Sequence, residues 1–264
     1  MDLYLEGKTA LVGGGSKGLG YAAALRLAKE GVRVAICARN QTDFEHAARQ
    51  IEIETSIPVI AIAFDLSEIQ ELKDKVVDVA LEALGSIDIL VINSGGPKAG
   101  EFHELDIKDW DEAYRSVFLY VRELYQHIIP HMKDQRWGRI INISSLSVRE
   151  ATPSLTLSNV YRSGVLSLAK AISQDLIASN ITINSLMPGA FLTGRAQSLL
   201  ETAAIRTGKT VKEITEESIK NLPLGRFQAP DELGAVIAFL ASELAKGITG
   251  VAIPIDGGIS KGIY

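Results

Sequence analysis

Short apolar runs alternate along this chain with longer segments whose apolar residues recur at helical spacing. Seven runs read as strands: 8–12, 32–37, 58–64, 88–93, 138–144, 181–187 and 251–255. They are rich in Val and Ile with little alternation of polar and apolar positions, the pattern of strands buried on both faces of a parallel sheet. Helical patterns fall near 18–30, 41–55, 68–84, 109–134, 155–179 and 230–243. Alternation of this kind predicts βαβ units in a doubly wound α/β sheet, with right-handed crossovers placing helices on both faces. The stretch 190–228 breaks the rhythm. It holds Thr207-Gly208-Lys209-Thr210 and a charged segment, 212–220. It reads as a helical insertion at the carboxyl end of a strand, where such sheets bind ligands. A lid is the preferred reading and a solvated oligomer contact the other. Phe191, Leu192, Leu199 and Leu200 serve either to line an apolar substrate pocket or to dock the insertion.

Length and composition narrow the class. The 264 residues fit one domain over 1–264, and 47% apolar content supplies a large core. Lys and Arg total 27 against 32 acidic residues, a net charge of −5, and the cations are scattered. That argues against a nucleic-acid surface, which needs clustered basic excess. Cys37 is the only cysteine, so no intrachain disulfide forms and a reducing compartment is expected. The start, Met1 to Glu6, has no basic region followed by an apolar stretch, and no apolar run approaches the ~18 residues of a membrane span. The expectation is a soluble cytoplasmic protein without a membrane partner. His127 and His131 have an i, i+4 spacing, but Pro130 intervenes and no third ligand is near, so no metal site is expected.

Chemistry enters at Gly13-Gly14-Gly15-Ser16-Lys17-Gly18-Leu19-Gly20, which follows the first strand and opens the first helix. Glycines allow a tight turn and close backbone approach to a pyrophosphate, and a helix N-terminus adds free N–H groups and a positive dipole end. The second strand ends Ala38-Arg39, and no carboxylate follows until Asp43. An acidic residue at that point receives the ribose hydroxyls of NAD. Lys17 and Arg39 converging there instead favour a 2′-phosphate, hence NADP(H).

These residues, with several downstream, resemble the short-chain dehydrogenase/reductase family, and within it 3-oxoacyl-(acyl carrier protein) reductases. Gly13 replaces the Thr that opens the family's glycine motif. Asp65-Leu66 matches the pair that flanks adenine, and Ile92-Asn93-Ser94-Gly95 keeps the second Asn and the Gly of Asn-Asn-Ala-Gly. Asn142-Ile143-Ser144-Ser145, then Asn184 through Pro188-Gly189 with Thr193 beyond, and finally Ile248-Thr249-Gly250 and Asp256-Gly257-Gly258 complete the series. The resemblance spans about residues 5 to 259. It implies a Rossmann-type sheet of seven strands in the order 3-2-1-4-5-6-7. It also implies cofactor contacts at Gly14, Ser16, Lys17, Gly18, Leu19, Arg39, Asp65, Leu66, Asn93, Gly95, Arg162, Pro188, Gly189 and Thr193, and a homotetramer or homodimer built on the helices near 109–134 and 155–179.

The family's proton-transfer set does not carry over. Ser145 stands thirteen positions before Ser158, the family's Ser-to-Tyr spacing, so Ser158 occupies the Tyr position and Arg162 the Lys position. Counting from Trp110 puts Phe118 where the family has Asn. Ser158 offers only an aliphatic hydroxyl, and Arg162 keeps its charge and relays no proton. Tyr161, three residues past Ser158 and roughly 60° round the helix, reads either as a displaced general acid or as a core or subunit-interface tyrosine. Two functions remain open on these residues. One is an NADP(H)-dependent oxidoreductase on a small carbonyl or secondary-alcohol substrate, with Ser145, Ser158 and Tyr161 as its catalytic candidates. The other is a catalytically inactive dinucleotide-binding sensor or inactive partner subunit.

Overall fold

The computed structural model describes residues 2–262. Seven parallel strands form one sheet in the order β3-β2-β1-β4-β5-β6-β7. They are β1 (Thr9–Gly13), β2 (Arg33–Ala38), β3 (Val59–Ala63), β4 (Ile89–Ile92), β5 (Gly138–Ile143), β6 (Ile181–Pro188) and β7 (Ala252–Ile255). Each lies within a residue of the run predicted for it. Successive side chains of a strand point to opposite faces, and the apolar core divides accordingly. Val34 and Ile36 of β2 join one cluster, while Ala35 and Cys37 join the other.

The first cluster is covered by α1 (Gly18–Lys29), α2 (Gln41–Thr55) and α9 (Pro230–Ala241), the second by α3 (Asp78–Leu84), α5 (Tyr120–Gln135) and α6 (Thr156–Leu176). Leu27 of α1 and Ile237 of α9 are wholly buried there, each contributing about 1.5–3 kcal/mol by leaving water. Gly234 sets how close these two helices come. A Cβ at that position would stand 2.8 Å from the Ala22 carbonyl oxygen.

The helix predicted over 109–134 departs from the regular pattern. It starts earlier, as α4 (Ile107–Ala113), because Asp106 caps it by accepting from the Asp109 N–H at 3.0 Å. It then widens into a π-helical turn, Tyr114–Leu119, before α5. Such turns free a backbone carbonyl from the ladder, and here the Ser94 hydroxyl donates to the Ser116 carbonyl at 3.0 Å. The stretch 190–228 forms α7 (Gly194–Thr207) and α8 (Val211–Lys220), packed on each other through Leu200, Ala204 and Ile214. Its two ends meet where the Gln228 N–H donates to Ala190 and the Leu192 N–H to Gln228. Phe191 and Leu200 are buried and dock the insertion, whereas Leu192 and Leu199 are exposed.

Polar anchors tie together the amino-terminal ends of the strands. Asp88 accepts from the Thr9 N–H at 3.0 Å and the Thr9 hydroxyl at 3.1 Å. Arg139 of β5 is fully buried, donating to the Gly138 and Asn180 carbonyls and to Glu243 at 3.0 Å. The Trp137 indole N–H also donates to Glu243, and its ring takes Lys8 and Arg139 against its faces. Among the described residues no helix is long and apolar enough to cross a membrane. The opposite, carboxyl-terminal ends of the strands carry the residues singled out by the sequence.

Candidate active site at the strand carboxyl ends

The strand order reverses between β1 and β4, and ligands of such sheets bind at that switch point. The glycine loop lies there. Lys17 is the N-cap of α1 but makes no side-chain cap bond, and the first turn holds no acidic residue. The first N–H groups of α1 therefore keep their positive end free for an anion. Gly14 and Gly18 both have φ of +57°, which side-chain-bearing residues adopt only with strain. A Cβ at Gly14 would come within 2.6 Å of Asn93 Nδ2. Asn93 holds the loop by donating to the Gly13 and Gly14 carbonyls at 3.2 and 3.4 Å.

Around this loop the surface is open. A Cβ at Gly95 or at Gly194 would meet nothing within 4 Å, and Thr193 stands 3.5 Å from the Cβ position of Gly18. Ser16 is half-buried in the loop, and Leu19 packs on the core beneath it. Buried Leu66 closes the side toward Gly13, and Asp65 fixes its own turn by accepting from the Ser67 N–H and hydroxyl at 2.9 and 2.8 Å. Bare glycine faces beside an uncapped helix start fit the pyrophosphate of a dinucleotide. Pro188 and Gly189 end β6 against β7, where the Gly189 N–H donates to Ile255. A Cβ at Gly189 would collide with Asp256 at 2.8 Å.

The adenosine end differs from the sequence expectation in one respect. Lys17 pairs with Asp43 at 2.7 Å and Arg39 lies 3.7 Å from Asp65, with both cationic side chains about three-quarters exposed at 72% and 74%. The carboxylate missing from the strand end is thus delivered from the first turn of α2, because Asn40 caps that helix and accepts from the Asp43 N–H. Both exposed cations thus have an acid facing them, Asp43 for Lys17 and Asp65 for Arg39.

At the end of β5, Ser145 Oγ accepts from the Ser147 N–H at 3.1 Å, and Ser147 Oγ lies 3.4 Å from Ser158 Oγ. Three hydroxyls are thereby gathered, two of them buried. One turn beyond Ser158, Arg162 Nη1 donates to the Ile143 carbonyl at 2.9 Å and the Ser144 carbonyl at 3.3 Å. The buried Ser144 hydroxyl has no protein partner, a donor available to a ligand or water. Among the described residues no carboxylate lies within ion-pairing distance of Arg162. Burial depresses its pKa, Tyr120 works the other way, and Arg195 adds to the depression.

Tyr161 and Arg162 diverge by about 100° round the helix. The Tyr161 ring meets Trp110 edge-on at 5.9 Å and tilts against Tyr114 at 5.9 Å, within a group that includes Phe102 and Phe118. Burial raises its pKa, with Asp111 and Tyr114 adding to the rise. The ring is used in aromatic packing, as a core or subunit-interface tyrosine would be, and the groups around it raise rather than lower its pKa. Phe118 packs against Gly164 and brings no polar group to that side of the helix.

Sequence reasoning passed over two residues. Tyr120 is buried beside Arg162 and Ser94. Burial raises its phenol, and the Ser94 hydrogen bond and Arg162 charge oppose the rise. Its one signal was a hydroxyl within an apolar helical stripe. Arg195, second in α7, had no signal, since its position depends on how the insertion folds back over Gly96. Elsewhere, His127 faces Glu123 at 3.4 Å rather than His131. Burial pushes the Cys37 thiol up to about 12, so it stays protonated and unreactive.

A parallel sheet of this order, with a glycine loop opening a helix at the switch point, defines a Rossmann-type dinucleotide fold. A family profile described as enoyl-(acyl carrier protein) reductase matches residues 14–260. The chain is 31% identical to a 3-oxoacyl-[acyl-carrier-protein] reductase of Thermotoga maritima over 97% of its own length and 98% of that protein's. It is 32% identical to an acetoacetyl-CoA reductase of Rhizobium meliloti, covering 95% and 98% of the two chains. Among solved structures, L-sorbose reductase from Gluconobacter frateurii, complexed with NADPH and L-sorbose, superposes with a TM-score of 0.94 at 27% identity over the whole of both chains. The chain belongs to the short-chain dehydrogenase/reductase family of oxidoreductases.

Proposed function

We propose that the protein is an NADP(H)-dependent oxidoreductase that interconverts a carbonyl compound and a secondary alcohol. The observation that carries this reading is Arg162, a cation without a carboxylate beside an open dinucleotide cradle. A reduced nicotinamide bound in that cradle would supply a hydride to the carbonyl carbon. Negative charge then grows on the substrate oxygen. Arg162, anchored on the Ile143 and Ser144 carbonyls, stabilises that charge without having to reorganise. It donates hydrogen bonds but surrenders no proton. Ser145 and Ser158 orient a water that passes a proton to the substrate oxygen and regains one from bulk solvent, so neither hydroxyl needs to ionise. Glycine loop, Asn93, Gly95 and Thr193 bind and orient the dinucleotide.

Tyr161 lies outside this set. Tyr161→Phe is therefore expected to hold single-turnover NADPH oxidation within about twofold of the parent across a ketone panel. A drop beyond tenfold would reinstate the phenol as the acid. For the cofactor, Lys17 and Arg39 support NADPH over NADH. Fluorescence titration of Arg39→Ala is expected to weaken NADPH by about tenfold, the scale of one charge-assisted contact, and to leave NADH unchanged. Equal affinity of the parent for both nucleotides would refute the preference.

The packing of the Tyr161 ring against Trp110 and Tyr114 favours one alternative, a dinucleotide binder without turnover. The two readings separate in one experiment. If the parent binds NADPH and reduces nothing, while the Ser158→Tyr/Arg162→Lys double variant turns over, the binder reading stands. Exposed Val160 and Tyr114 on the α4–α6 side support assembly as a homo-oligomer through these helices.

A further inference from the structure

We infer that the carbonyl compound taken by this site is an anion, whose carboxylate is held by Arg195 beside the reacting carbonyl. The inference rests on the oxidoreductase reading and names its substrate class.

Arg195 reaches from the first turn of α7 across the loop that follows β4. Its Nη2 donates to the Pro97 carbonyl at 3.2 Å. Its guanidinium lies where a side chain at position 96 would go, since a Cβ on Gly96 would stand 2.8 Å from Cζ and 2.9 Å from Nε. Glycine at 96 is thus what lets the arginine cross. Anchored by one nitrogen, the guanidinium keeps its remaining donors without a protein acceptor among the described residues. Arg162 is anchored in the same manner, through Nη1 alone. The two are close enough for Arg195 to disfavour the charge on Arg162.

Acids in the neighbouring elements are engaged elsewhere. Asp109 pairs with Lys98 at 2.7 Å, Glu104 accepts from the Glu101 N–H at 2.8 Å, and Glu201 of α7 accepts from Gln197 at 3.0 Å. The contrast with the adenosine end is informative. There each cation, Lys17 and Arg39, has a carboxylate facing it. At the substrate end neither does, in a chain whose net charge is −5. The N-terminus of α7 adds its dipole on the same side. A carboxylate fits a guanidinium fork with two parallel hydrogen bonds, and a carbonyl adjacent to it would then present its oxygen to Arg162. A 2-oxo acid meets both requirements.

The competing occupant of Arg195 is a phosphate of the cofactor itself. The test therefore uses the protein saturated with NADPH and titrates oxamate and its N-alkyl homologues, isosteres of 2-oxo acids, each against its neutral methyl ester. Oxamates are expected to bind at least about tenfold tighter than their esters, the scale of a bidentate charge-assisted pair. Arg195→Gln is expected to erase that difference while changing the NADPH dissociation constant less than twofold. Equal binding of acids and esters by the parent overturns the inference. So does an Arg195→Gln variant that weakens NADPH as much as oxamate, which would place the arginine on the cofactor. Turnover of 2-oxo acids against their esters is read separately. Oxamate binding without any turnover leaves the anion site standing and removes the oxidoreductase reading alone.

Discussion

Replacing Arg162 with methionine is expected to lower kcat/KM by about 10²–10³-fold, the loss seen when one preorganised donor to a developing oxyanion is removed. Methionine fills similar space, so packing against β5 survives and the loss reports on charge. Arg162 has no carboxylate to absorb its field among the described residues, and its anchors are two neutral carbonyls. Its charge is therefore not neutralised by an ion-pair partner and would act on the substrate oxygen. Arg162→Lys keeps the charge but loses the fork, and intermediate activity is expected from it. The measurement is kcat/KM at saturating NADPH, alongside NADPH affinity by fluorescence. If weaker NADPH binding accounts for the entire loss, Arg162 holds only the cofactor and the electrostatic role fails.

Glu243→Ala is expected to destabilise the fold by about 2–3 kcal/mol in urea unfolding and to leave NADPH binding unchanged. Removing one member of a buried ion pair costs roughly 3–5 kcal/mol because the other charge is stranded. Here the side chain of Arg139 is 0% exposed but that of Glu243 is 37% exposed, and Arg139 retains two carbonyl acceptors. The expected cost therefore falls below the full figure. Trp137 loses its indole acceptor in the same step. Glu243→Gln keeps an acceptor and should cost about half as much. The anchor sits at the amino-terminal ends of the strands, a full sheet-length from the glycine loop, which is why ligand binding should not register the change. A loss under ~0.5 kcal/mol would mean that the Gly138 and Asn180 carbonyls alone satisfy Arg139.

Much of the architecture was legible because it rests on local chemistry. Runs such as Ile89–Ile92 are apolar on both faces and have only one stable place, the middle of a covered sheet. The glycine loop was legible for a similar reason: positions 14 and 18 need positive φ, and the chain supplies glycine there. Ser158 and Arg162 are expected at the family's Tyr and Lys positions from the family resemblance together with the thirteen-residue spacing from Ser145. The helix over 107–135 was harder. Its π-helical turn depends on a carbonyl finding Ser94 from another element, and no pattern within the helix encodes that.

The sequence by itself determined the strands of the sheet, most of its covering helices and the glycine loop. All of these follow from periodicity, backbone conformation and spacing, which act within a few residues or along one element. Only the tertiary structure decided which charges meet. Asp43 reaches Lys17, Tyr161 turns into an aromatic cluster, and Arg195 folds over Gly96 to the Pro97 carbonyl. Those outcomes depend on distances between elements far apart in the chain. Hydrogen-bonded ion pairs and aromatic contacts need close approach, so a shift of one helix turn would rearrange all three while leaving the hydrophobic pattern unchanged.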